Sequence, residues 1–321
     1  MKKLIIHIGF PKTATTSLQH NLFLELSKKG HLGYFGRADE DLEFKDSYMN
    51  IASKIRALLY EMKCLELPRE IGNSNLAVLS DEGLTIPAFY NNYSFGHKYS
   101  IFEFPRLLQE TFRTAYNDIQ ILISLRRQAD LLEALYIQRY DRFFNDELQN
   151  TTERHFFEET EFKHELFAEL NFPAVIESYR SEFGAANVRV QLYEDLQHSE
   201  ECYFSELAQL IRIEGSVVID LLKKEKRNVK TKKGNKVYRT YRRRAPSYVF
   251  IANQIKKMGG GFMAALLPEW IKQASFCETK ILAPGLTACQ KERIMNHYRP
   301  LNGSLKLLGL DSDKLRAYGY I

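Results

Sequence analysis

The segment Gly9-Phe10-Pro11-Lys12-Thr13-Ala14-Thr15-Thr16-Ser17 concentrates residue types that hold anions. It follows the apolar run Lys3 to Ile8 (KLIIHI), which predicts a short buried strand. It precedes Leu18, Leu22 and Leu26, whose four-residue spacing predicts a helix from Thr16, with Thr15 or Thr16 as cap. Backbone N–H groups at a helix start have no partner within the helix and carry partial positive charge, so such a junction attracts phosphate or sulfate. Thr13, Thr15, Thr16 and Ser17 add hydroxyls, and Lys12 adds a full charge. Two other polar clusters close apolar runs: Ser80-Asp81-Glu82-Gly83, with two carboxylates, and Arg126-Arg127, with two guanidinium groups.

The loop is a poor ATP-binding loop. The pattern G-x-x-x-x-G-K-[ST] counted from Gly9 puts Ala14 in place of the second glycine and Thr15 in place of the lysine. No G-x-S-x-G elbow is present, which argues against an α/β-hydrolase. No pair of histidines has the spacing of metal ligands on a helix, and no metal is expected. His7 falls inside the first strand, where a core or supporting role is expected. His97, His155 and His164 sit in no readable motif.

The elements that must position these groups are short strands alternating with helices. After KLIIHI come Asn75 to Leu79 (NLAVL), Asp118 to Leu125 (DIQILISL) and Asn187 to Tyr193 (NVRVQLY). A helix with Leu132, Leu135, Tyr136 and Tyr140 on one stripe follows Arg127. This alternation predicts an α/β fold, a mostly parallel central sheet covered on both faces. Ligands of such sheets sit at the carboxyl ends of the strands, where all the polar clusters fall.

The 321 residues suit one α/β domain over 1–321, with insertions expected on the acceptor side at 141–170 and 223–275. Residues 141–170 look helical. The net charge of +5 is uneven: Lys223 to Arg244 carries +11, so the rest of the chain carries −6. That basic segment is the best candidate for a loop or mobile element. The four cysteines, Cys64, Cys202, Cys277 and Cys289, lack C-x-x-C spacing and fit a reducing compartment. Only five residues, Leu4 to Ile8, separate Met1-Lys2-Lys3 from Gly9, too few for the apolar region of a signal peptide. With no stretch as apolar as a membrane span, the expected location is cytoplasmic.

Pro11-Lys12-Thr13-Ala14-Thr15-Thr16-Ser17 resembles the 5'-phosphosulfate loop of the sulfotransferase family, close to P-K-[ST]-G-T-T, with Ala14 where glycine is commoner. The string His7 to Gln19 (HIGFPKTATTSLQ) is very similar to bacterial members. The family's second motif is an Arg at a strand end with a Ser eight residues on. Here Arg126 is present and Ala134 stands where the Ser belongs, so Arg127, Tyr136 or Gln138 is left to supply the missing donor. Val188 to Leu196 (VRVQLYEDL), and Asn302 followed by Gly319-Tyr320, resemble later segments of the family.

The resemblance implies a P-loop-like three-layer fold. It implies transfer of a sulfuryl group from 3'-phosphoadenosine 5'-phosphosulfate (PAPS), releasing adenosine 3',5'-bisphosphate (PAP), to a hydroxyl or amine. Pro11 to Ser17 would hold the 5'-phosphate, with Lys12 at the bridging oxygen. Arg126, helped by Arg127, Arg227 and Lys233, would hold the 3'-phosphate. Glu82 would be the base, with Asp81 and then His97 as rivals. Bacterial members suggest a carbohydrate or glycolipid acceptor, and no nucleic-acid partner. The apolar stretch Tyr248 to Trp270 after the basic segment leaves peripheral membrane contact open. A nucleotide kinase and a non-catalytic basic binding module are the alternatives.

Overall fold

Leu4, Ile6 and Ile8 belong to one buried apolar cluster and Ile5 to another, so the first strand buries both of its faces. That alternation makes it the middle of a layered structure rather than an edge. In the computed structural model the described residues are 2–36, 49–60, 63, 74–85, 101–143, 168–223, 231–233, 236–244, 276–283 and 286–321.

Five strands form the central sheet: β1 (Lys3–His7), β2 (Gly33–Gly36), β3 (Leu76–Ser80), β4 (Asp118–Leu125) and β5 (Val188–Leu192). Their order is β2-β3-β1-β4-β5 and every pairing is parallel. His7 pairs with Ser80 on one side and Leu122 on the other, so the carboxyl ends of β1, β3 and β4 form one edge. The chain leaves β1 to build one side of the sheet and returns to build the other. The crevice beside β1 is therefore the switch point at which such sheets bind ligands.

One face is covered by Ala52, Ile55 and Leu59 of the helix Met49–Tyr60 and by the helices Phe104–Phe112, Phe172–Phe183 and Ala288–Asn302. Leu18, Leu22 and Leu26, with the helices Glu200–Ile211 and Gly215–Lys223, cover the other. Each fully buried Leu or Phe contributes roughly 1.5–3 kcal/mol, so two such layers fix the sheet firmly. The result is the expected three-layer α/β arrangement.

Three details differ from the sequence reading. β2 is an additional strand of four residues, Gly-Tyr-Phe-Gly, too short to show a period. The first helix begins as Thr15–Ser17, continues as a π-helix over Leu18–Leu24 and closes as Glu25–Lys28. Every residue of the π stretch is buried, the polar Gln19, His20 and Asn21 included. Finally, the basic segment is not a plain loop. Lys223 ends a helix, and β6 (Thr231–Lys233), β7 (Lys236–Arg244) and β8 (Phe276–Ala283) form an antiparallel sheet of order β6-β7-β8. Val237, Tyr238, Thr240 and Tyr241 interleave the cations of β7 and favour a strand despite the charge. The dipeptide Gly234-Asn235 between β6 and β7 is a hairpin signal.

Among the described residues no helix is long and apolar enough to cross a membrane. Residues 144–167, most of the expected helical insertion, lie outside the described residues, as do 245–275.

Candidate active site

The loop after β1 starts as an extension of the sheet. The N–H of Ile8 donates to the Leu122 carbonyl at 3.0 Å and that of Phe10 to the Ser124 carbonyl at 2.9 Å. The chain then turns through two left-handed residues, Lys12 (φ 67°) and Ala14 (φ 63°), with Thr13 between them at negative φ. Backbone that alternates in this way is able to turn successive N–H groups toward one point, the arrangement of an anion-binding nest. It costs about 1 kcal/mol at each residue that carries a Cβ, because Cβ crowds the next carbonyl. Lys12 and Ala14 are therefore both glycine-favouring positions of this loop. Gly9 needs its missing side chain for another reason: a Cβ there would lie 2.6 Å from Thr15 Cγ2 and 2.7 Å from His7 Nε2.

The hydroxyls of the loop face different ways. Thr13 is fully buried, and its hydroxyl donates to the Phe10 carbonyl at 2.5 Å, closing the turn. Thr15 is buried too, and its hydroxyl donates to Glu82 Oε2 at 2.6 Å. Thr16 and Ser17, like Lys12 and Ala14, are half-buried at the mouth, while Pro11 is buried.

Glu82 opens a short 3-10 turn, Glu82–Leu84, at the end of β3. Asp81 caps that turn by accepting the Gly83 N–H at 2.8 Å and takes a second bond from Arg56 Nη1 at 3.0 Å. Burial pushes the Asp81 carboxyl up, and the Arg56 charge and the Gly83 bond pull it back. Asp81 is thus committed to holding the turn, and Glu82 is the carboxylate bonded to the loop. Thr85 adds a bond from its hydroxyl to the Gly9 carbonyl at 3.3 Å. His97, the third candidate base, lies outside the described residues.

Arg126 follows β4 across the crevice. Its Nη1 donates to the Lys12 carbonyl at 3.0 Å, and its guanidinium carbon lies 4.7 Å from the centre of the Tyr193 ring. One edge of the fork is thereby fixed to the loop, and its flat face rests on an aromatic ring. Arg127 turns elsewhere, with Nε on Asp130 at 2.7 Å and Nη1 2.9 Å from where a Gly319 Cβ would sit. Ala134 is buried in the helix Gln128–Phe143, and the side chains of Tyr136 and Gln138 are outside the described residues. Arg227 also lies outside them, and Lys233 is described only as the last backbone position of β6.

Beneath the loop is a polar layer that the motifs do not reveal. His7 is fully buried, with Nδ1 2.8 Å from Ser80 Oγ and Nε2 3.1 Å from Ser124 Oγ. Gln19 Nε2 donates to the same Ser80 Oγ at 3.1 Å. Burial lowers the His7 pKa to about 3, so the ring is neutral. His7 thus ties β3, which leads into Glu82, to β4, which leads into Arg126. Among the described residues no cluster of three or more His, Cys, Asp or Glu side chains is able to hold a metal ion.

No family model matches the chain, and no curated protein matches it. Among solved structures, a sulfotransferase from Alicyclobacillus acidocaldarius is similar at 16% identity. The match covers 67% of this chain and 83% of that one, with a TM-score of 0.37. So slight a likeness assigns nothing, and the site stands on its own residues.

Those residues bring a strand-to-helix loop, a carboxylate and a guanidinium together at one edge of the sheet. Lys12, Ala14, Thr15, Glu82 and Arg126 come together. Arg127 is drawn into an ion pair beside them. Tyr193 is the side chain that sequence reading missed, although it stands directly after β5 in the string Tyr193-Glu194-Asp195.

Proposed function

We propose that this protein is a PAPS-dependent sulfotransferase that moves a sulfuryl group to a hydroxyl or amine of an acceptor. What carries the reading is the paired left-handed turn at Lys12 and Ala14, at the carboxyl end of the central strand, with Arg126 bonded to its Lys12 carbonyl. A strand-to-helix loop with left-handed turns, the Lys12 ammonium and a guanidinium bonded to that loop together suit a nucleotide with phosphates at two positions.

In this reading the backbone of Lys12 to Ser17 holds the 5'-phosphate, helped by the hydroxyls of Thr16 and Ser17. Arg126 takes the 3'-phosphate. Arg227 and Lys233 are second candidates for that phosphate on sequence grounds alone. The acceptor oxygen or nitrogen bonds to sulfur as the bond from sulfur to the bridging oxygen breaks. The electron pair stays on that oxygen, where the Lys12 ammonium offsets the developing charge. The acceptor's proton goes to Glu82, whose Oε1 is the oxygen not taken by Thr15. Positioning and charge stabilisation dominate such loose transfers. A carbohydrate or glycolipid is the acceptor class to screen first.

Calorimetric titration with PAP, followed by transfer assays with labelled PAPS, tests the reading. Lys12→Ala should stay folded, bind PAP and lose far more turnover than affinity, because its charge acts in the transition state. A chain that does not bind PAP, or a folded Lys12→Ala variant within about tenfold of wild-type turnover, overturns it.

A further inference from the structure

The last residues of the chain reach the same edge of the sheet as Arg126. Tyr320 is fully buried, and its hydroxyl donates to Glu194 Oε2 at 2.9 Å. The other oxygen of Glu194, Oε1, accepts the Arg127 N–H at 3.0 Å. Tyr320 is itself held on several sides. Its N–H donates to the Leu315 carbonyl at 2.8 Å, and its carbonyl accepts Asn302 Nδ2 at 3.0 Å. Asn302 in turn exchanges two hydrogen bonds with Gln128, at 2.9 and 3.1 Å. The ring packs near Phe172, which meets Phe10 of the loop edge-on at 4.8 Å.

Glu194 directly follows Tyr193, the ring beneath Arg126, and feels the Arg126 charge. A buried carboxylate next to a guanidinium ordinarily grips it through two parallel bonds. Here no such pair forms. Each Glu194 oxygen accepts one hydrogen bond, Oε2 from Tyr320 and Oε1 from the Arg127 backbone, which orients the carboxylate, and Arg126 turns to the Lys12 carbonyl instead.

We infer that Tyr320 is a positioning residue: its bond to Glu194 Oε2 orients that carboxylate away from a two-bond grip on Arg126, and so leaves the guanidinium available to a ligand phosphate. The inference rests on the reading of Arg126 as the 3'-phosphate group. Removing the Tyr320 hydroxyl frees a buried anion beside Arg126, and the cheapest partner for that anion is the guanidinium. The ligand phosphate then has to displace an internal rival.

The test compares PAP with adenosine 5'-monophosphate, which lacks the 3'-phosphate, by calorimetry on the full chain. Tyr320→Phe should weaken PAP by about tenfold and leave the monophosphate unchanged. Adding Glu194→Gln to Tyr320→Phe should restore PAP binding, because the rival charge is gone. A merely structural role predicts that both nucleotides weaken together and that Glu194→Gln rescues nothing; either result overturns the inference. If Tyr320→Phe does not fold, Glu194→Gln alone decides: PAP affinity at or above wild type supports the inference, and a selective loss of PAP overturns it. If Arg126→Ala erases the preference for PAP while Tyr320→Phe preserves it, the reading of Arg126 stands and this inference falls. A wild-type chain without that preference overturns both.

Discussion

The hydroxyl of Thr15 donates to Glu82 Oε2 at 2.6 Å, joining the loop after β1 to the turn after β3 across the mouth of the site. One hydroxyl proton serves one acceptor, so this bond sets the Glu82 carboxylate at the loop rather than out in solvent. Glu82→Gln keeps the shape and removes the basicity. It is expected to cut turnover by roughly 10² or more while PAP affinity holds. Asp81→Asn is expected to act through stability instead, because Asp81 caps the turn and pairs with Arg56. Steady-state kinetics beside melting curves separate the two. An active Glu82→Gln variant removes Glu82 as the base.

Arg126 makes two contacts in the fold, a hydrogen bond to the Lys12 carbonyl and a stack on the Tyr193 ring. Arg126→Lys keeps the charge but loses the planar fork. It is expected to weaken PAP by roughly 1.5–3 kcal/mol, the worth of a charge-assisted bond, and adenosine 5'-monophosphate by much less. Equal losses for both nucleotides would make Arg126 a purely structural clamp on the loop.

Ala14 sits at φ 63° and caps the first helix without a side-chain bond. Ala14→Gly should remove about 1 kcal/mol of left-handed strain, offset in part by the greater freedom of glycine when unfolded. The expected result is an unchanged or slightly higher urea midpoint, the reverse of alanine-to-glycine inside a helix. Ala14→Val should lower the midpoint clearly, since a β-branched residue resists positive φ.

His7 and Glu169 oppose each other in pH dependence. Burial lowers His7 from 6.5 to about 3, so between those values the unfolded chain binds a proton that the folded chain refuses. Stability then falls as pH drops, by up to about 1.4 kcal/mol per unit. Burial raises Glu169 from 4.5 to about 7, so between those values the folded chain holds a proton that the unfolded chain has lost. Stability then falls as pH rises. The windows overlap from 4.5 to 6.5, where the two slopes cancel. Urea titrations across this range should show stability falling with pH in His7→Gln and rising with pH in Glu169→Gln. Parallel profiles in both variants would mean that neither group is buried as described.

Much of this architecture was legible in local sequence. β4 was expected at Asp118 to Leu125 and forms there, because eight residues of alternating and then continuous apolar character admit little else. The loop from Gly9 to Ser17 announced itself by lysine and hydroxyls between a strand and a helix, a signal that lies within one short window. Residue order alone also set the polar clusters at strand ends, which a parallel sheet gathers on one edge. Four-residue β2 carried no period to read, and the cations of β7 hid a strand pattern beneath a charge run. The tertiary structure alone decided which polar groups meet. Thr15 reaches a carboxylate 67 positions away, and Tyr320 reaches one 126 positions away. It also decided that Arg126 and Arg127, neighbours of the same type, part company: one turns to the loop, the other to Asp130. Such contacts depend on how the layers stack and on which buried oxygen lacks a donor. Those are properties of the whole packed core, and no local stretch of sequence encodes them.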